Sequence, residues 1–277
     1  MLTPELFLTP QKHSTFSPAD YERIDVLGVH VGVLTRHRLN SLLREALDKG
    51  LKGWISYVNV YALNISQDAP WFRLFLNDSL LTYCDGQGVR LGAAIGGKSL
   101  PERIVMSDWI YDICELAVVR QAKIYLLGST PPVLELAVTT LRTQYPELEI
   151  VGSHHGHISD LESDLLVQSI NKADPDLLIV GMGMPLQEQW ILKYGERLQA
   201  RLIFNAGSCF DYVAGTKRRC PNWMGVMGLE WLYRLAQEPH RLWKRYLIGN
   251  PRFVFRVIGE TFRKKKNSSN NAPKPNF

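Results

Sequence analysis

An aspartate that directly follows a short apolar segment is the residue best placed to do chemistry in this chain. Asp85 comes after residues 79–84, which are predicted to form a buried strand, and Gly86 follows it. A carboxylate at the end of a buried strand can accept a proton from a hydroxyl group and so serve as a general base. An aspartate before a glycine also commonly caps the next helix through an Asx turn. The spacing alone leaves both roles open.

Glycine-rich and polar turns follow several other predicted strands. They include Asn59, the segment 181–188 with the sequence Gly-Met-Gly-Met-Pro-Leu-Gln-Glu, and the segment 205–208 with the sequence Asn-Ala-Gly-Ser. Glycine lets the backbone approach a ligand closely, and N–H groups at a helix N-terminus attract phosphate. Together these turns favour a nucleotide-type ligand, although each alone is equally compatible with a simple tight turn. The GxGxxxG sequence at 86–92 is one residue too long for a dinucleotide fingerprint, which disfavours a nicotinamide-dependent oxidoreductase.

The elements that must position these turns alternate between strand and helix. Strands are predicted for residues 24–31, 54–61, 79–84, 123–127, 149–151, 176–180 and 201–205. Helices are predicted for residues 39–51, 71–77, 108–119, 132–144, 161–172 and 187–194, and beyond them for 229–237, 241–248 and 253–262. The later strands are apolar throughout, as in a parallel sheet covered on both faces. We therefore predict an α/β fold with a Rossmann-like, mostly parallel sheet, whose ligand binds beyond the carboxyl ends of the strands.

The charge is divided unevenly along the 277 residues. The whole chain carries 32 Lys+Arg against 27 Asp+Glu, but residues 217–277 carry 14 against 3 and are therefore net +11. The residues before them are net −6. Short helical segments rich in aromatic and basic residues begin near residue 221. We predict a flexible N-terminus at 1–20, a Rossmann-like catalytic domain at 21–220, a helical basic appendage at 221–266 and a disordered tail at 267–277.

The composition excludes several classes of protein. Hydrophobic residues make up 45% of the chain, which excludes a largely disordered protein. The four cysteines are widely spaced, so we expect no metal site and no disulfide framework. No run reaches the roughly 20 apolar residues of a spanning helix, and the first residues do not resemble a signal peptide. We expect a cytoplasmic protein whose basic appendage associates with the anionic inner face of the cytoplasmic membrane.

Four motifs in the second half of the chain together resemble one known family. They are Gly-x-Gly-x-Pro-x-Gln-Glu-x-Trp-Ile from Gly181, Phe-Asp-Tyr-Val-Ala-Gly from Phe210, Arg-Cys-Pro-Asn-Trp-Met from Arg219, and Gly-Leu-Glu-Trp-Leu-Tyr-Arg-Leu-x-Gln-Glu-Pro-x-Arg from Gly228. The set is similar to that of the WecG/TagA/CpsF glycosyltransferases, which form glycosyltransferase family 26. The resemblance extends from about residue 24 to about residue 246 and includes Asp-Gly-x-Gly-Val from Asp85.

The resemblance implies an inverting glycosyltransferase with a Rossmann-like core that needs no metal and no cofactor. Members move a sugar, often N-acetylmannosamine or its uronic acid, from a UDP-sugar donor to a sugar linked to undecaprenyl diphosphate. They serve the assembly of wall teichoic acid, capsule and exopolysaccharide. Their C-terminal appendage docks on the membrane and helps to close the active site. The partners implied are a UDP-sugar, a polyprenyl-diphosphate-linked acceptor and a membrane surface, and a homo-oligomer stays open.

The resemblance also assigns roles to individual residues. Asp85 falls on the position of the general base that deprotonates the acceptor hydroxyl. Donor or nucleotide binding is implied for five residues, which are Tyr57, Asn59, Gln187, Glu188 and Asp211. Binding of the diphosphate or the acceptor is implied for three appendage residues, which are Arg234, Arg241 and Arg245. Guanidinium groups suit diphosphate oxygens and stabilise a leaving diphosphate without a metal. Residues 252–266 are then expected to face lipid.

Tyr57 departs from the family pattern, which has threonine there in a Thr-x-Asn motif, and Asn-Ala-Gly-Ser at 205–208 replaces Gly-x-Gly-Gly. These differences surround the expected donor pocket, so N-acetylmannosamine and another hexose both stay candidate donors. The alternative function is a non-catalytic nucleotide- or nucleic-acid-binding protein. We expect no nucleic acid partner, because no nucleic-acid-binding motif accompanies the basic tail and the acidic core would repel a polyanion.

Overall fold

The computed structural model describes residues 20–270, with the side chains of 222, 226, 265 and 267–270 left undescribed. Most of the predicted flexible N-terminus, residues 1–19, and residues 271–277 of the predicted disordered tail lie outside the described residues. The strands found between residues 20 and 270 are β1 (Arg23–Val26), β2 (Val29–Gly32), β3 (Gly53–Val58), β4 (Leu81–Cys84), β5 (Ile124–Gly128), β6 (Ile150–His154), β7 (Leu177–Gly181) and β8 (Leu202–Asn205).

Six of these strands form one parallel sheet, as the apolar segments predict. Its order is β4-β3-β8-β7-β5-β6, and every neighbouring pair is parallel. The strand β7 has the sequence Leu-Leu-Ile-Val-Gly and is buried along its whole length. Successive side chains of a strand point to opposite faces, so such a strand needs a cover on both sides.

Helices provide that cover. The helices of the core are α1 (Arg36–Asp48), α2 (Val60–Asp68), α3 (Pro70–Asn77), α4 (Gln87–Ile95), α5 (Met106–Arg120), α6 (Pro131–Gln144), α7 (Asp160–Ala173), α8 (Leu186–Tyr194) and α9 (Cys209–Val213). One face of the sheet packs against α1, α5, α6 and α9, and the other packs against α2, α3, α7 and α8. In β3, Ile55 belongs to the first hydrophobic core and Trp54 to the second. The predicted Rossmann-like α/β fold is confirmed.

The chain reverses direction across the sheet at β3. From β3 it moves outward to β4 on one side, while every later strand lies on the other side, with β8 directly beside β3. At such a reversal the connections diverge and leave a crevice beyond the carboxyl ends of the strands. The turns after β3, β4 and β8 meet at this crevice.

Two predicted strands differ from the structure. Residues 24–31 form the antiparallel hairpin β1–β2 instead of one strand, because Leu27 and Gly28 adopt left-handed φ angles of 53° and 78°. The strand predicted at 54–61 ends at Val58, since Asn59 caps the helix α2. The helix α4 was not predicted, and it follows Gly86 directly.

The C-terminal appendage consists of helices and crosses the crevice. It comprises α10 (Asn222–Val226), α11 (Glu230–Gln237), α12 (Pro239–Trp243), a π-helical turn (Lys244–Ile248) and α13 (Gly249–Asn270). As predicted, a break at Pro239 separates two short helices. The long helix α13 contains the predicted segment 253–262 and packs against α2 and α4. No helix among the described residues combines the length and the hydropathy needed to cross a membrane.

Several basic residues of α13 form ion pairs with acids of the core. Arg252 binds Asp68 through two hydrogen bonds of 2.9 and 3.0 Å, and Arg256 reaches the same carboxylate at 2.6 Å. Lys264 lies 2.9 Å from Asp25. These three side chains therefore pair with acids of the core, and the expectation that residues 252–266 face lipid stays a prediction. The opposite charges of the two parts of the chain meet within the molecule.

Candidate active site

Asp85 lies at the carboxyl end of β4, on the floor of the crevice. Its N–H donates to the carbonyl of Val58 at 2.8 Å, which extends the parallel ladder by one residue beyond the strand. Gly86 follows with φ 132°, a value that favours glycine, and is the N-cap of α4. No hydrogen bond from an α4 N–H group to the Asp85 carboxylate occurs among the described residues, so the structure does not give this side chain a capping role.

Two cavities meet at Asp85. The larger has a volume of about 810 Å³ and lies between α4, the loop after it, α11 and α13. The smaller has a volume of about 130 Å³ and lies between the ends of β3 and β8, the turn before α8, and the appendage. Five residues line both cavities, namely Asn59, Asp85, Glu230, Arg234 and Arg245. The site is thus assembled from the ends of two strands and two segments of the appendage.

Burial and neighbouring charges together set the pKa of Asp85. The pKa of its carboxyl group is raised to about 6, with burial as the largest cause and the nearby carboxylate of Glu230 as the second. Three arginines oppose this rise, namely Arg103, Arg234 and Arg245. A carboxylate with a pKa near the working pH is well matched to accept a proton from a hydroxyl group.

The structure brings the three predicted appendage arginines to the crevice. The Arg234 guanidinium lies 3.3 Å from Ser208 Oγ and 5.9 Å from the Tyr212 ring centre. Arg241 lines the smaller cavity, where its Nε donates to Glu238. The Arg245 guanidinium carbon lies 4.5 Å from the centre of the ring of Tyr61. Its Nε is buried and has no hydrogen-bond partner among the described residues, so it is available to an anionic ligand.

Asn59 and Tyr57 come from the end of β3. Asn59 Oδ1 accepts from the N–H of Ala62 at 2.9 Å and so begins α2, while the residue also lines both cavities. Tyr57 lines the smaller cavity, and its hydroxyl accepts from Gln187 Nε2 at 3.4 Å. A Cβ atom on Gly207 would lie 2.6 Å from the Tyr57 hydroxyl. The ring of Tyr57 therefore requires glycine at 207, and the two residues together shape this cavity.

Gln187 and Glu188 lie beneath the smaller cavity and do not line it. Both side chains are wholly buried. Gln187 Oε1 accepts from the N–H groups of Gly183 and Gly207, which joins the turns after β7 and β8. Glu188 Oε1 accepts from Gln187 Nε2 and Asn205 Nδ2, both at 2.7 Å. In the structure, this pair supports the two glycine turns through hydrogen bonds. Its predicted contact with the donor stays a prediction.

The second carboxylate oxygen of Glu188 is buried without a hydrogen-bond partner among the described residues. The pKa of Glu188 is raised to about 7, because the effect of burial exceeds the opposing effect of the hydrogen bonds from Gln187 and Asn205. The group therefore holds its proton far more tightly than an exposed glutamate does.

Asp211 is the predicted site residue that lies apart from the others. It is the third residue of α9 and lines neither of the two cavities. Its carboxylate lies 3.3 Å from Lys217, which also lies 3.3 Å from Glu238. In this structure Asp211 helps to fasten the appendage to the core, and its implied role toward the nucleotide stays a prediction.

Sequence reasoning missed Arg103 and Glu230, which both line the larger cavity. Arg103 ends the segment Leu-Pro-Glu-Arg at 100–103, and Glu230 lies in the motif that begins at Gly228. They are 127 residues apart, and one sequence gives no sign that they form a pair.

The described residues contain no group of three or more His, Cys, Asp or Glu side chains that could hold a metal.

Comparison with known proteins identifies relatives over most of the chain. A model of the Glycosyl transferase WecG/TagA/CpsF family matches residues 24–267. The chain is 29% identical over 238 residues to the N-acetylglucosaminyldiphosphoundecaprenol N-acetyl-beta-D-mannosaminyltransferase of Bacillus subtilis (strain 168), covering 86% of this chain and 90% of that protein. It is 31% identical over 248 residues to the protein of the same name from Staphylococcus aureus (strain MW2), covering 88% and 95%.

Proposed function

We propose that this chain, which belongs to the WecG/TagA/CpsF glycosyltransferase family, transfers a hexosyl group from a UDP-sugar to a sugar linked to a polyprenyl diphosphate. The names of the Bacillus and Staphylococcus relatives describe transfer of N-acetylmannosamine to N-acetylglucosaminyldiphosphoundecaprenol. The observation that carries the proposal is the position of Asp85, at the junction of two cavities and facing Arg234 and Arg245.

The proposed step is a single displacement at the anomeric carbon of the donor. An acceptor hydroxyl oxygen forms the new bond to that carbon, while the bond from the carbon to the diphosphate oxygen breaks and UDP leaves with the electron pair. Asp85 takes the hydroxyl proton. Arg234, Arg241 and Arg245 stabilise the charge that develops on the diphosphate, as a metal does in other transferases. Attack from the face opposite the leaving group inverts the configuration.

We place the glycosyl-diphosphate end of the donor in the smaller cavity, with the nucleotide extending outward toward α9 and Asp211. The glycine turns at 183 and 207 contribute backbone to this cavity, and Arg241 adds positive charge. Tyr57 stands where the family has threonine and fills part of this cavity. The shape of the cavity thus differs from the family pattern, and N-acetylmannosamine and another hexose both stay candidate donors. The product serves a cell-surface polysaccharide such as teichoic acid, capsule or exopolysaccharide.

We also propose that the appendage rests on an anionic membrane. Phe255, Ile258 and Phe262 are exposed at spacings of three and four residues on α13, so they share one face of the helix. Trp223, Trp243 and Leu247 are exposed on the preceding segments. Exposed aromatic and aliphatic side chains beside basic residues are typical of helices that lie in the membrane interface.

The deciding experiment is turnover of a panel of UDP-sugars on a lipid-diphosphate-linked N-acetylglucosamine acceptor, with EDTA present. We expect one donor to be consumed and its sugar to appear on the acceptor. Asp85→Asn is expected to lower kcat about 10²- to 10⁴-fold while UDP binding by calorimetry is retained. The absence of transfer from every donor, or full activity of Asp85→Asn, contradicts the proposal.

A further inference from the structure

We propose that the larger cavity is the acceptor site, with the acceptor sugar at Asp85 and the first isoprene units of its lipid between α4 and α13. This inference rests on the proposed function and assigns a place to the second substrate. It concerns residues of α4 and α13 to which no role in the reaction has been given above.

The first support is the way in which the two cavities meet. In a displacement with inversion, the nucleophile and the leaving group lie on opposite sides of the anomeric carbon. The base and the acceptor hydroxyl must therefore share one side, and the diphosphate of the donor must lie on the other. Two carboxylates line both cavities, and of these Glu230 is paired with Arg103, which leaves Asp85 as the base. A donor in the smaller cavity then leaves the larger one to the acceptor.

The second support is the chemistry of the cavity wall. Its apolar part is formed by α2, α4, the following loop and α13, through Val60, Leu91, Ala94, Leu100, Phe253 and Val254. This wall continues to the surface, where Leu91 is 55% exposed and Met227, which also lines the cavity, is 67% exposed. A sugar diphosphate has little apolar surface to cover such a wall, whereas an isoprenyl chain is wholly apolar.

A contact between α4 and α13 builds this wall. Phe253 is buried against Gly92, where a Cβ atom would lie 2.5 Å from the Phe253 ring. Because Gly92 has no side chain, α13 approaches α4 closely and the two helices form one side of the cavity. Val254 then faces the cavity one residue beyond Phe253, and Ala94 does so from α4.

The third support is charge. Five basic residues line the larger cavity, which are Arg90, Lys98, Arg103, Arg234 and Arg245, against the two acids Asp85 and Glu230. The cavity is therefore net +3 and favours a polyanion such as a diphosphate. The guanidinium of Arg90 donates to the carbonyls of Leu100 and Pro101 and to Gln87, and its charge faces no carboxylate at hydrogen-bond distance among the described residues.

The test compares two water-soluble acceptors that share N-acetylglucosaminyl diphosphate and differ in the alcohol, which is geraniol in one and ethanol in the other. No vesicles or detergent are present, so membrane docking does not contribute. We expect the wild-type protein to prefer the geranyl acceptor in kcat/KM by about 10- to 100-fold, because two buried isoprene units add apolar contact. Ala94→Trp fills the cavity and should reduce this preference at least ten-fold.

Two further variants test whether the effect of Ala94→Trp comes from the cavity wall or only from the added bulk. Leu91→Ser removes part of the wall without adding bulk and should also weaken the preference. Ala236→Trp places the same bulk on an exposed position of α11, outside both cavities, and should leave it unchanged. The inference is overturned if the wild type shows no preference, if Ala94→Trp and Leu91→Ser keep it, or if Ala94→Trp raises KM for the donor instead. Transfer to neither acceptor by the wild type contradicts the proposed function itself.

Discussion

Arg103 and Glu230 form an ion pair, with 2.5 Å between Nη2 and Oε2, that joins the loop before α5 to the helix α11. Their side chains are only 18% and 22% exposed, and both line the cavity that holds Asp85. The core supplies the arginine and the appendage supplies the glutamate. The appendage therefore contributes to the site, in addition to the three arginines, a negative charge that acts on Asp85, the proposed base.

Removing the charge of Glu230 is expected to make Asp85 a weaker base that works at lower pH. The carboxylate of Glu230 raises the pKa of Asp85, and the Glu230→Gln substitution removes this effect. Arg103 already lowers the pKa of Asp85, and in the variant its charge is no longer neutralised by Glu230. Because the proposed reaction needs ionised Asp85, kcat/KM of the wild type should fall as the pH drops through about 6. In Glu230→Gln this acid limb should move down by about one pH unit.

The measurement for this variant is the pH profile of kcat/KM from pH 4.5 to 8. Glu260→Gln is the control, because Glu260 also belongs to the appendage but pairs with Lys264 on α13. Its acid limb should coincide with that of the wild type. An unchanged or raised limb in Glu230→Gln would show that Glu230 does not act on the base.

Glu188 is expected to make the protein less stable as the pH rises. Its pKa is about 7 in the folded protein against an ordinary value of 4.5, so the folded state binds more protons between these values. The free energy of unfolding should therefore decrease from about pH 4.5 to about pH 7, by up to about 3 kcal/mol. Glu188→Gln should remove this slope and unfold at higher denaturant concentration than the wild type at pH 8.

Urea unfolding at pH 5 and pH 8 measures this effect. Glu196→Gln, at an exposed position of the turn after α8, should change stability by less than about 0.5 kcal/mol at both values. A Glu188→Gln protein that is less stable than the wild type at pH 8 would mean that the carboxylate has an ionic partner in solution.

Gly92 is expected to tolerate no side chain. In Gly92→Ala the new Cβ would overlap the Phe253 ring, at 2.5 Å from its Cζ atom, so α13 must move away from α4. We expect a loss of about 1–3 kcal/mol in the free energy of unfolding and faster proteolysis of α13. Gly259→Ala is the matched change, since a Cβ there meets no atom within 4 Å. It should stabilise α13 by up to about 1 kcal/mol, and equal effects of the two substitutions would contradict the contact.

Membrane association is expected to depend on the apolar face of α13 more than on its paired basic residues. Phe255 and Phe262 are 74% and 70% exposed, whereas Arg252 is paired with Asp68. Phe255→Ser combined with Phe262→Ser should weaken binding to vesicles of anionic phospholipid by at least 100-fold, since each phenyl group contributes about 2 kcal/mol when buried. The change is measured by sedimentation of vesicles. The pair Leu161→Ser and Leu165→Ser, equally exposed on α7, should have no effect.

Much of the fold was predictable because the local pattern and the tertiary structure agree. The apolar run that became β7 is too short for a helix and needs a cover on both faces, so a parallel sheet follows from it. The pattern failed where one residue decides a boundary. Asn59 ended β3 by capping α2, and the pair Leu27–Gly28 turned one apparent strand into a hairpin.

The sequence by itself determined the family, the fold and the presence of Asp85 at the end of a strand. Motifs and periodicity are local, so they are visible in one chain. Only the tertiary structure placed Glu230 beside Asp85, put Gln187 and Glu188 beneath the cavity, and paired the basic residues of α13 with the acids of the core. Each of these relationships joins segments that are distant in the chain or depends on which side chains are withdrawn from water. Such relationships depend on packing, which one sequence does not display.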